Sequence, residues 1–109
     1  VMGYPARLEE VERTGITALS GADVVAARRE GRVYKLLATA DRLPDGAVTL
    51  RVAPVPLPGD HFLARLGRKQ MGVIYHTDIY GTVMAAIDEP TPLPSAATML
   101  RDILDIYTK

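Results

Sequence analysis

Residues 32–57 read RVYKLLATADRLPDGAVTLRVAPVPL, and this stretch decides the fold. Its hydrophobic residues recur with a period of two on either side of a Pro-Asp-Gly sequence at residues 44–46. A period of two is typical of β-strands, and an Asp-Gly pair between two such runs favours a tight hairpin turn. We therefore predict two antiparallel strands, at residues 33–43 and 47–57, joined by this turn.

The two predicted strands differ in their hydrophobic patterns. The second strand places one set of hydrophobic side chains on a single face: Val48, Leu50 and Val52. That alternation is expected of a half-buried strand. The first strand is hydrophobic on both faces, which predicts a position in the interior of the sheet. Three prolines, which lack a backbone N–H group, are predicted to end the second strand: Pro54, Pro56 and Pro58.

Local signals also predict the elements that precede this hairpin. Ser20 and Asp23 form a capping-box pattern, so we predict a helix from Ser20 to about Glu30. Gly31 is placed to end this helix in a left-handed conformation. Residues 1–19 have little periodicity and predict only a short extended strand.

The C-terminal half of the chain predicts two more strands and a second helix. Residues 61–66 favour a short helical turn, and residues 70–80 and 82–87 favour strands separated by Gly81. An amphipathic helix with Ser95 as its N-cap follows. The complete pattern predicts an α+β fold, with about four strands in a mostly antiparallel or mixed sheet and two to three helices packed on one face.

Length and composition exclude several classes of protein. A chain of 109 residues, 48% of them hydrophobic, is expected to form a single domain over residues 1–109. Thirteen basic and thirteen acidic residues cancel without forming a basic cluster, so nucleic acid is not an expected partner. No hydrophobic run approaches the roughly 20 residues of a membrane-spanning helix, so no membrane partner is expected. The lack of cysteine excludes disulfides and favours a cytoplasmic location.

The sequence offers few residues for catalysis or metal binding. His76 and Asp78 lie two residues apart on a predicted strand, where their side chains share one face. Catalytic zinc needs three protein ligands, and His61 falls in a separate element, so no metal site is predicted. We expect His76 to lie on a polar sheet face that pairs or meets solvent, and His61 to bond a nearby backbone group. No residue is predicted to be catalytic.

The start of the last predicted helix offers an anion-binding feature. The chain has neither a GxGxxG sequence nor a P-loop, so a complete nucleotide-binding unit is missing. Backbone amides near Ser95 could bind an anion, but a plain helix cap is the favoured interpretation. Glu89 and Thr91 precede this helix in a loop that contains three prolines.

Five motifs, in order along the chain, resemble those of the homoserine dehydrogenase family. The family pattern V-x-x-x-GI-x-x-I-x-x-x-D-x-x-x-A is matched by Val11, Gly15, Ile16, Leu19, Asp23 and Ala27. A strand of the form IKLLAxAxR is matched at residues 33–42. The pattern VxPxxxPxxHPLAxxxG, with Phe62 in place of its usual proline, is matched by Val52, Pro54, Pro58, His61, Leu63, Ala64 and Gly67. The family's GDxxG and LPTASAVVxDLLxI segments resemble residues 77–81 and 93–106.

This resemblance implies the C-terminal substrate and dimerisation lobe of an NAD(P)-dependent oxidoreductase. In the family, a hydride moves between the nicotinamide of NAD or NADP and a small-molecule substrate, aspartate semialdehyde or homoserine. The family's Rossmann domain, and the Asp and Lys that act on the substrate carbonyl, lie upstream of the matched region. We therefore expect a fragment, as Val1 before Met2 also suggests, that is inactive and binds no cofactor by itself. The resemblance further implies a homodimer.

One loop departs from the family pattern. The family carries a glycine-rich GxGAGG sequence before LPTAS, which lets the backbone approach the nicotinamide end of the cofactor, whereas residues 87–92 read IDEPTP. By their position in this segment, the resemblance implies three cofactor-binding candidates: Glu89, Thr91 and Ser95. A glutamate and two prolines obstruct the close backbone approach that glycine permits, so binding in the family's usual manner is not expected.

Two other kinds of function remain open from the sequence. The chain could be a stand-alone, non-catalytic module that uses the same sheet to dimerise or to bind a small amino-acid-like ligand. A regulatory amino-acid-binding domain of the ACT type has the right size and class. That second alternative leaves the prolines after Val52 and the ordered motifs unexplained.

Overall fold

Five strands and two α-helices make up the fold of this protein, a computed structural model that describes residues 2–108. The elements follow one another as a 3-10 turn (Leu8–Glu10), β1 (Val11–Arg13), a 3-10 turn (Ile16–Ala18), α1 (Gly21–Arg29), β2 (Arg32–Arg42), β3 (Val48–Pro58), β4 (Gln70–Thr77), β5 (Gly81–Asp88) and α2 (Leu93–Tyr107). The described residues fall into two compact units, one ending at Ala64 and the other beginning at Arg65.

The hairpin predicted from residues 32–57 is confirmed. Strands β2 and β3 pair antiparallel along all eleven residues of each strand. The connecting turn is closed by a 2.8 Å hydrogen bond from the Leu43 N–H to the Ala47 carbonyl. Gly46 has a φ of 87°, in the left-handed region that favours glycine, and the Asp45 Oδ1 accepts from the Ala47 N–H at 2.9 Å. The Asp45-Gly46 pair on which the turn prediction rests therefore forms the turn that closes the hairpin.

Prolines do not end β3, contrary to the sequence prediction. The strand continues through Pro54, Pro56 and Pro58, all of which pair with residues of β2. Alternate residues of a strand direct their backbone polar groups to opposite sides. The Val52 carbonyl accepts from the Thr14 N–H at 2.8 Å, on the side of β1. Since the prolines lie an even number of residues beyond Val52, they face the same side, and their missing N–H groups remove no bond to β2.

Among the described strands, β2 lies at one edge of the first sheet and not in the interior position that the sequence predicts. The sheet has the order β1-β3-β2, with β1 parallel to residues 50–52 of β3. No residue of β2 is buried, and Leu36 is 62% exposed. The hydrophobic pattern of β2 is that of a strand with neighbours on both sides, but the described residues supply a neighbour on one side only.

Helix α1 begins and ends as predicted. Ser20 is its N-cap, and the Ser20 Oγ accepts from the Asp23 N–H at 3.2 Å. The Asp23 Oδ2 in turn accepts from the Ser20 hydroxyl at 2.6 Å and from the Ser20 N–H at 2.8 Å. Gly31 follows the helix with a φ of 72°. This reciprocal capping satisfies amide groups that the first helical turn leaves without intrahelical partners.

The second unit contains an antiparallel hairpin and the longer helix. Strands β4 and β5 pair over eight residues each, and α2 follows. β4 ends at Thr77, three residues earlier than predicted, because the Thr77 Oγ1 accepts from the Tyr80 N–H and donates to the Gly81 carbonyl, both at 2.9 Å. The segment predicted as a helical turn at residues 61–66 forms hydrogen-bonded turns instead.

These elements confirm the predicted α+β class, with five strands divided between two sheets rather than about four strands in one. Helix α1 contacts β2. None of the described helices is long and hydrophobic enough to cross a membrane. The expectation of a single domain stays a prediction.

Little of the chain is buried. Among residues 2–108, the buried hydrophobic residues are Ala27 and Ala53. The exposed area is 9055 Å². Two separate globules, each of half the chain's 11.8 kDa, would together expose roughly 7,100 Å². The surplus exceeds the roughly 800 Å² that one partner buries in a protein interface of standard size. The chain therefore exposes more surface than two compact globules of this mass would.

The capping box of α1 predicts a pH dependence of this helix. Hydrogen bonds from the Ser20 hydroxyl and backbone hold the pKa of Asp23 below its usual value. Because the pKa of Asp23 is lower in the folded protein, the cap stabilises α1 at pH values above the unfolded pKa of roughly 3.9. This contribution is lost as the pH falls through the pKa of the folded state. Carbon chemical shifts of residues 21–26 should therefore show loss of helix in acid. The Asp23→Asn variant should lose less helix in acid than the unchanged protein. The control Glu30→Gln, at the opposite end of α1, should lose as much helix as the unchanged protein. Equal loss of helix in the two variants would contradict the assignment to Asp23.

Candidate functional site

The loop between β5 and α2 and the first turn of α2 contain the cofactor-binding candidates that the resemblance implies. Its four residues, 89–92, read Glu-Pro-Thr-Pro. The Glu89 N–H donates to the Lys69 carbonyl at 2.7 Å, which attaches the start of the loop to the residue before β4. Glu89 is partly buried, whereas Thr91 is exposed. The backbone anchor thus fixes the position from which the Glu89 side chain extends.

The carboxylate of Glu89 lies at the N-terminus of α2. Its Oε1 atom accepts from the Ser95 N–H at 3.0 Å and from the Ser95 hydroxyl at 2.5 Å. Both bonds join residues six positions apart in the sequence, so the loop folds back across the first turn of the helix. A negative charge at this end is favoured by the helix dipole and by the amides of the first turn. Glu89 therefore acts as an anionic cap for α2.

Ser95 is not the N-cap of α2, contrary to the sequence prediction. The helix begins at Leu93, and Pro92 occupies the cap position without a side-chain hydrogen bond. The first intrahelical bond runs from the Ala96 N–H to the Pro92 carbonyl at 2.9 Å. Ser95 is the third helical residue, where it donates to Glu89 instead of capping the helix itself. Pro94 fits in the first turn because amides there have no intrahelical acceptor.

This arrangement does not fit an anionic group of a dinucleotide. Three prolines around the helix start lack N–H groups: Pro90, Pro92 and Pro94. The Ser95 amide and hydroxyl already donate to Glu89, and the Ala96 amide donates within the helix. A phosphate placed here would meet a carboxylate rather than a set of available amides. The structure thus brings Glu89 and Ser95 together and leaves Thr91 exposed in the same loop.

The histidines have structural partners. The His61 Nδ1 accepts from the Leu63 N–H at 3.2 Å, which confirms the predicted bond to a nearby backbone group. The His76 Nδ1 lies 3.2 Å from the Thr82 Oγ1 on the paired strand, which agrees with the expected polar sheet face. Asp78 lies beyond the end of β4, so it does not share a strand face with His76 as predicted. Within residues 2–108, no three His, Asp or Glu side chains come together as metal ligands would.

A shallow groove lies on the first unit. It has a volume of about 240 Å³ and is lined by Asp23, Ala26, Ala27, Glu30, Arg32, Tyr34 and Pro56. The Asp23 carboxylate is already bonded to Ser20 in the cap of α1. No group of polar side chains converges on the groove in a way that indicates a reaction.

Comparisons with known proteins agree on one family. A family model described as homoserine dehydrogenase matches residues 1–104. The chain is 31% identical over 100 residues to the NAD(+)-dependent homoserine dehydrogenase of Pseudomonas canavaninivorans, covering 92% of this chain and 28% of the relative. It is 34% identical over 110 residues to the homoserine dehydrogenase of Synechocystis, covering 96% and 25%. The chain thus spans about a quarter of the length of these curated relatives.

Solved structures give the same result for the fold. The homoserine dehydrogenase of Thiobacillus denitrificans has a TM-score of 0.78 and 27% identity, over 95% of this chain and 24% of that structure. A putative homoserine dehydrogenase of Archaeoglobus fulgidus has a TM-score of 0.74 and 28% identity, over 96% and 31%. The α+β arrangement is therefore shared with a segment of larger proteins.

The anionic cap predicts a local effect of removing the Glu89 side chain. Glu89→Ala should raise the hydrogen-exchange rate of the Ser95 amide by about fivefold or more, because loss of a helix cap costs about 1 kcal/mol. Glu89→Gln should cause a smaller increase, since the amide oxygen can still accept but the charge at the helix terminus is gone. Asp88→Asn, one residue earlier on β5, is the matched control. If Asp88→Asn accelerates exchange as much as Glu89→Ala, the carboxylate of Glu89 is not the cap.

Proposed function

The chain belongs to the homoserine dehydrogenase family, and from that premise we propose that it is the C-terminal substrate and dimerisation lobe of an NAD(P)-dependent oxidoreductase. The match of the family model to residues 1–104 carries this proposal. The complete enzyme would transfer a hydride between a nicotinamide cofactor and a substrate of the aspartate semialdehyde and homoserine class. The lobe would contribute its sheets and helices to the substrate region.

Among residues 2–108 the buried hydrophobic residues are two alanines, which supports a role as part of a larger assembly. Both sheets and α2 expose large hydrophobic side chains, including Leu36, Met71, Tyr75, Met99 and Ile103. Covering such surface is the main favourable term in folding and association. The rest of the polypeptide and a second subunit are the partners that would cover it, and we propose a homodimer. Since the chain has no cysteine, a reducing compartment is compatible with it, and we propose the cytoplasm.

Cofactor chemistry would depend on the rest of the enzyme. When bound, the nicotinamide cofactor supplies or accepts the hydride. We propose that Glu89, Thr91 and Ser95 lie near it in the complete protein. The Glu89 carboxylate would hold the start of α2 through Ser95 rather than bind the cofactor, since its Oε1 already accepts two hydrogen bonds there. The residues that act on the substrate carbonyl would come from outside this chain.

The first test is the activity of the chain alone. The purified 109-residue protein, mixed with NADPH or NADH and aspartate semialdehyde, should show no oxidation of the cofactor at 340 nm above the enzyme-free rate. The homoserine dehydrogenase of Synechocystis, assayed in parallel, is the positive control. Clear turnover by the isolated chain would contradict its assignment as an incomplete lobe.

The second test places the chain in a complete enzyme. A chimera in which residues 1–104 replace the matched segment of the Synechocystis relative should oxidise NADPH with aspartate semialdehyde. Glu89→Gly in this chimera should lower the KM for the cofactor by about threefold to tenfold, because it removes a carboxylate from the helix start and frees the Ser95 donors. The KM for aspartate semialdehyde should change less.

Asp88→Asn in the same chimera is the control for removing a negative charge. It should leave the KM for the cofactor within about twofold of the unchanged chimera, since exposed charges away from a contact are strongly screened. Equal cofactor KM values for the Glu89→Gly and Asp88→Asn variants would show that Glu89 does not weaken cofactor binding. A folded but inactive chimera would count against the proposed function as a whole.

A further inference from the structure

The outer edge of β2 is an open strand edge of unusual character. β2 is eleven residues long and pairs with β3 alone among the described strands. Its central part, VYKLLATA, contains one charged residue and no proline. Proteins usually protect a free edge with prolines, repeated charges, bulges or a short strand, because its N–H and C=O groups can pair with another chain. β2 has almost none of these protections.

The register identifies which backbone groups face this open edge. On β3, Val52 directs its carbonyl to β1. The backbone N–H and C=O groups of the odd-numbered residues of β3 therefore point toward β2. Their partners on β2 are also odd-numbered; for example, Leu37 lies opposite Ala53. The backbone groups of the even-numbered residues of β2 therefore point away from β3. They belong to Arg32, Tyr34, Leu36, Ala38, Ala40 and Arg42.

The opposite edge of the same sheet is closed. β1 occupies residues 50–52 of β3, and the Thr14 N–H continues the pairing to Val52. Beyond that point the edge carries Pro54, Pro56 and Pro58, which cannot donate hydrogen bonds. A further strand could not form a regular ladder with this part of β3. Growth of the sheet is thus directed to β2.

We propose that a strand from the rest of the enzyme pairs with the outer edge of β2, so that β2 is an interior strand of a larger sheet. This inference rests on the proposed function, because it takes the chain to be part of a longer polypeptide. The curated relatives are about four times as long as the matched segment, which leaves ample chain to supply the strand. The two-sided hydrophobic pattern of β2 is the pattern of a strand between two neighbours.

The chemistry of the edge defines the partner. The added segment is an extended strand without proline at the positions that donate to Tyr34, Leu36 and Ala38, and it is hydrophobic on both faces like β2 itself. A second copy of the chain is the alternative occupant. The two occupants differ in concentration dependence, since a strand of the same polypeptide pairs at any protein concentration and a second copy does not.

Hydrogen exchange in the Synechocystis chimera tests the proposal directly. The outward amides of Tyr34, Leu36 and Ala38 should exchange within about tenfold of the inward Leu37 amide, as expected for hydrogen bonds of one cooperative sheet. In the isolated chain, the same outward amides should exchange much faster than that of Leu37. Outward amides that exchange as fast in the chimera as in the isolated chain would overturn the proposal.

A proline substitution gives a second, matched test. Leu36 lies opposite Pro54, and its amide points away from β3, so Leu36→Pro removes no bond within the hairpin. It should nevertheless destabilise the chimera, lowering its melting temperature by several degrees more than Leu36→Ala does. Leu37→Pro, which removes an inward amide, should disrupt the hairpin in both proteins. If Leu36→Pro and Leu36→Ala destabilise the chimera equally, nothing pairs with this edge.

The remaining outcomes are also decisive. Protection of the outward amides that rises with the concentration of the isolated chain would assign the edge to a second copy and overturn the proposed occupant. A chimera that does not fold would count against the proposal, because the segments of the relative would then fail to complete this sheet. A chimera that is inactive but protected at Tyr34, Leu36 and Ala38 would uphold the strand pairing while contradicting the proposed function.

Discussion

The turn at Asp45 and Gly46 is the constraint on which the first unit depends. It sets the register in which every residue of β2 meets its partner on β3. In this register the three prolines of β3 direct their nitrogen atoms away from β2. A slip of one residue that reversed β3 would turn each proline toward β2 and remove three ladder hydrogen bonds. Turn chemistry and proline spacing therefore specify the same register, and the prolines help to define β3 rather than interrupt it.

Residues 2–108 form well-defined elements but little core. Hairpins, helix caps and turns need only neighbours in sequence, and this chain contains all of them within short segments. A core needs layers that cover one another, and among residues 2–108 the two buried hydrophobic residues are alanines. Hydrophobic side chains on β2, on both strands of the second hairpin and on α2 remain exposed. The sequence thus encodes hydrophobic surfaces that residues 2–108 leave uncovered.

Features with a local cause could be predicted from the sequence, and features with a distant cause could not. The hairpin turn and the Ser20 cap depend on residues within three or four positions of one another, and both are confirmed. The behaviour of Pro54 depends on which edge of β3 is free, which no local pattern records. The edge position of β2 depends on which strands pair with it, which its own hydrophobic pattern does not record. Ser95 is a reasonable cap by its residue type, but Glu89 satisfies its amide from six residues away. The missed signal was an acidic residue shortly before a helix start.

Glu89 shows how the departure from the family pattern can preserve the fold while changing the site. Glycine in this loop would give the helix start no side-chain cap, so its amides would remain available to a ligand. A glutamate supplies the negative charge from within the chain, and the prolines at residues 90 and 92 limit the conformations that the loop must lose on folding. Both changes stabilise the start of α2 without a ligand. The same substitution therefore increases the local order of the helix start and reduces the number of amides that are available to an anion. A relative with the glycine-rich loop would have a less ordered helix start and more available amides.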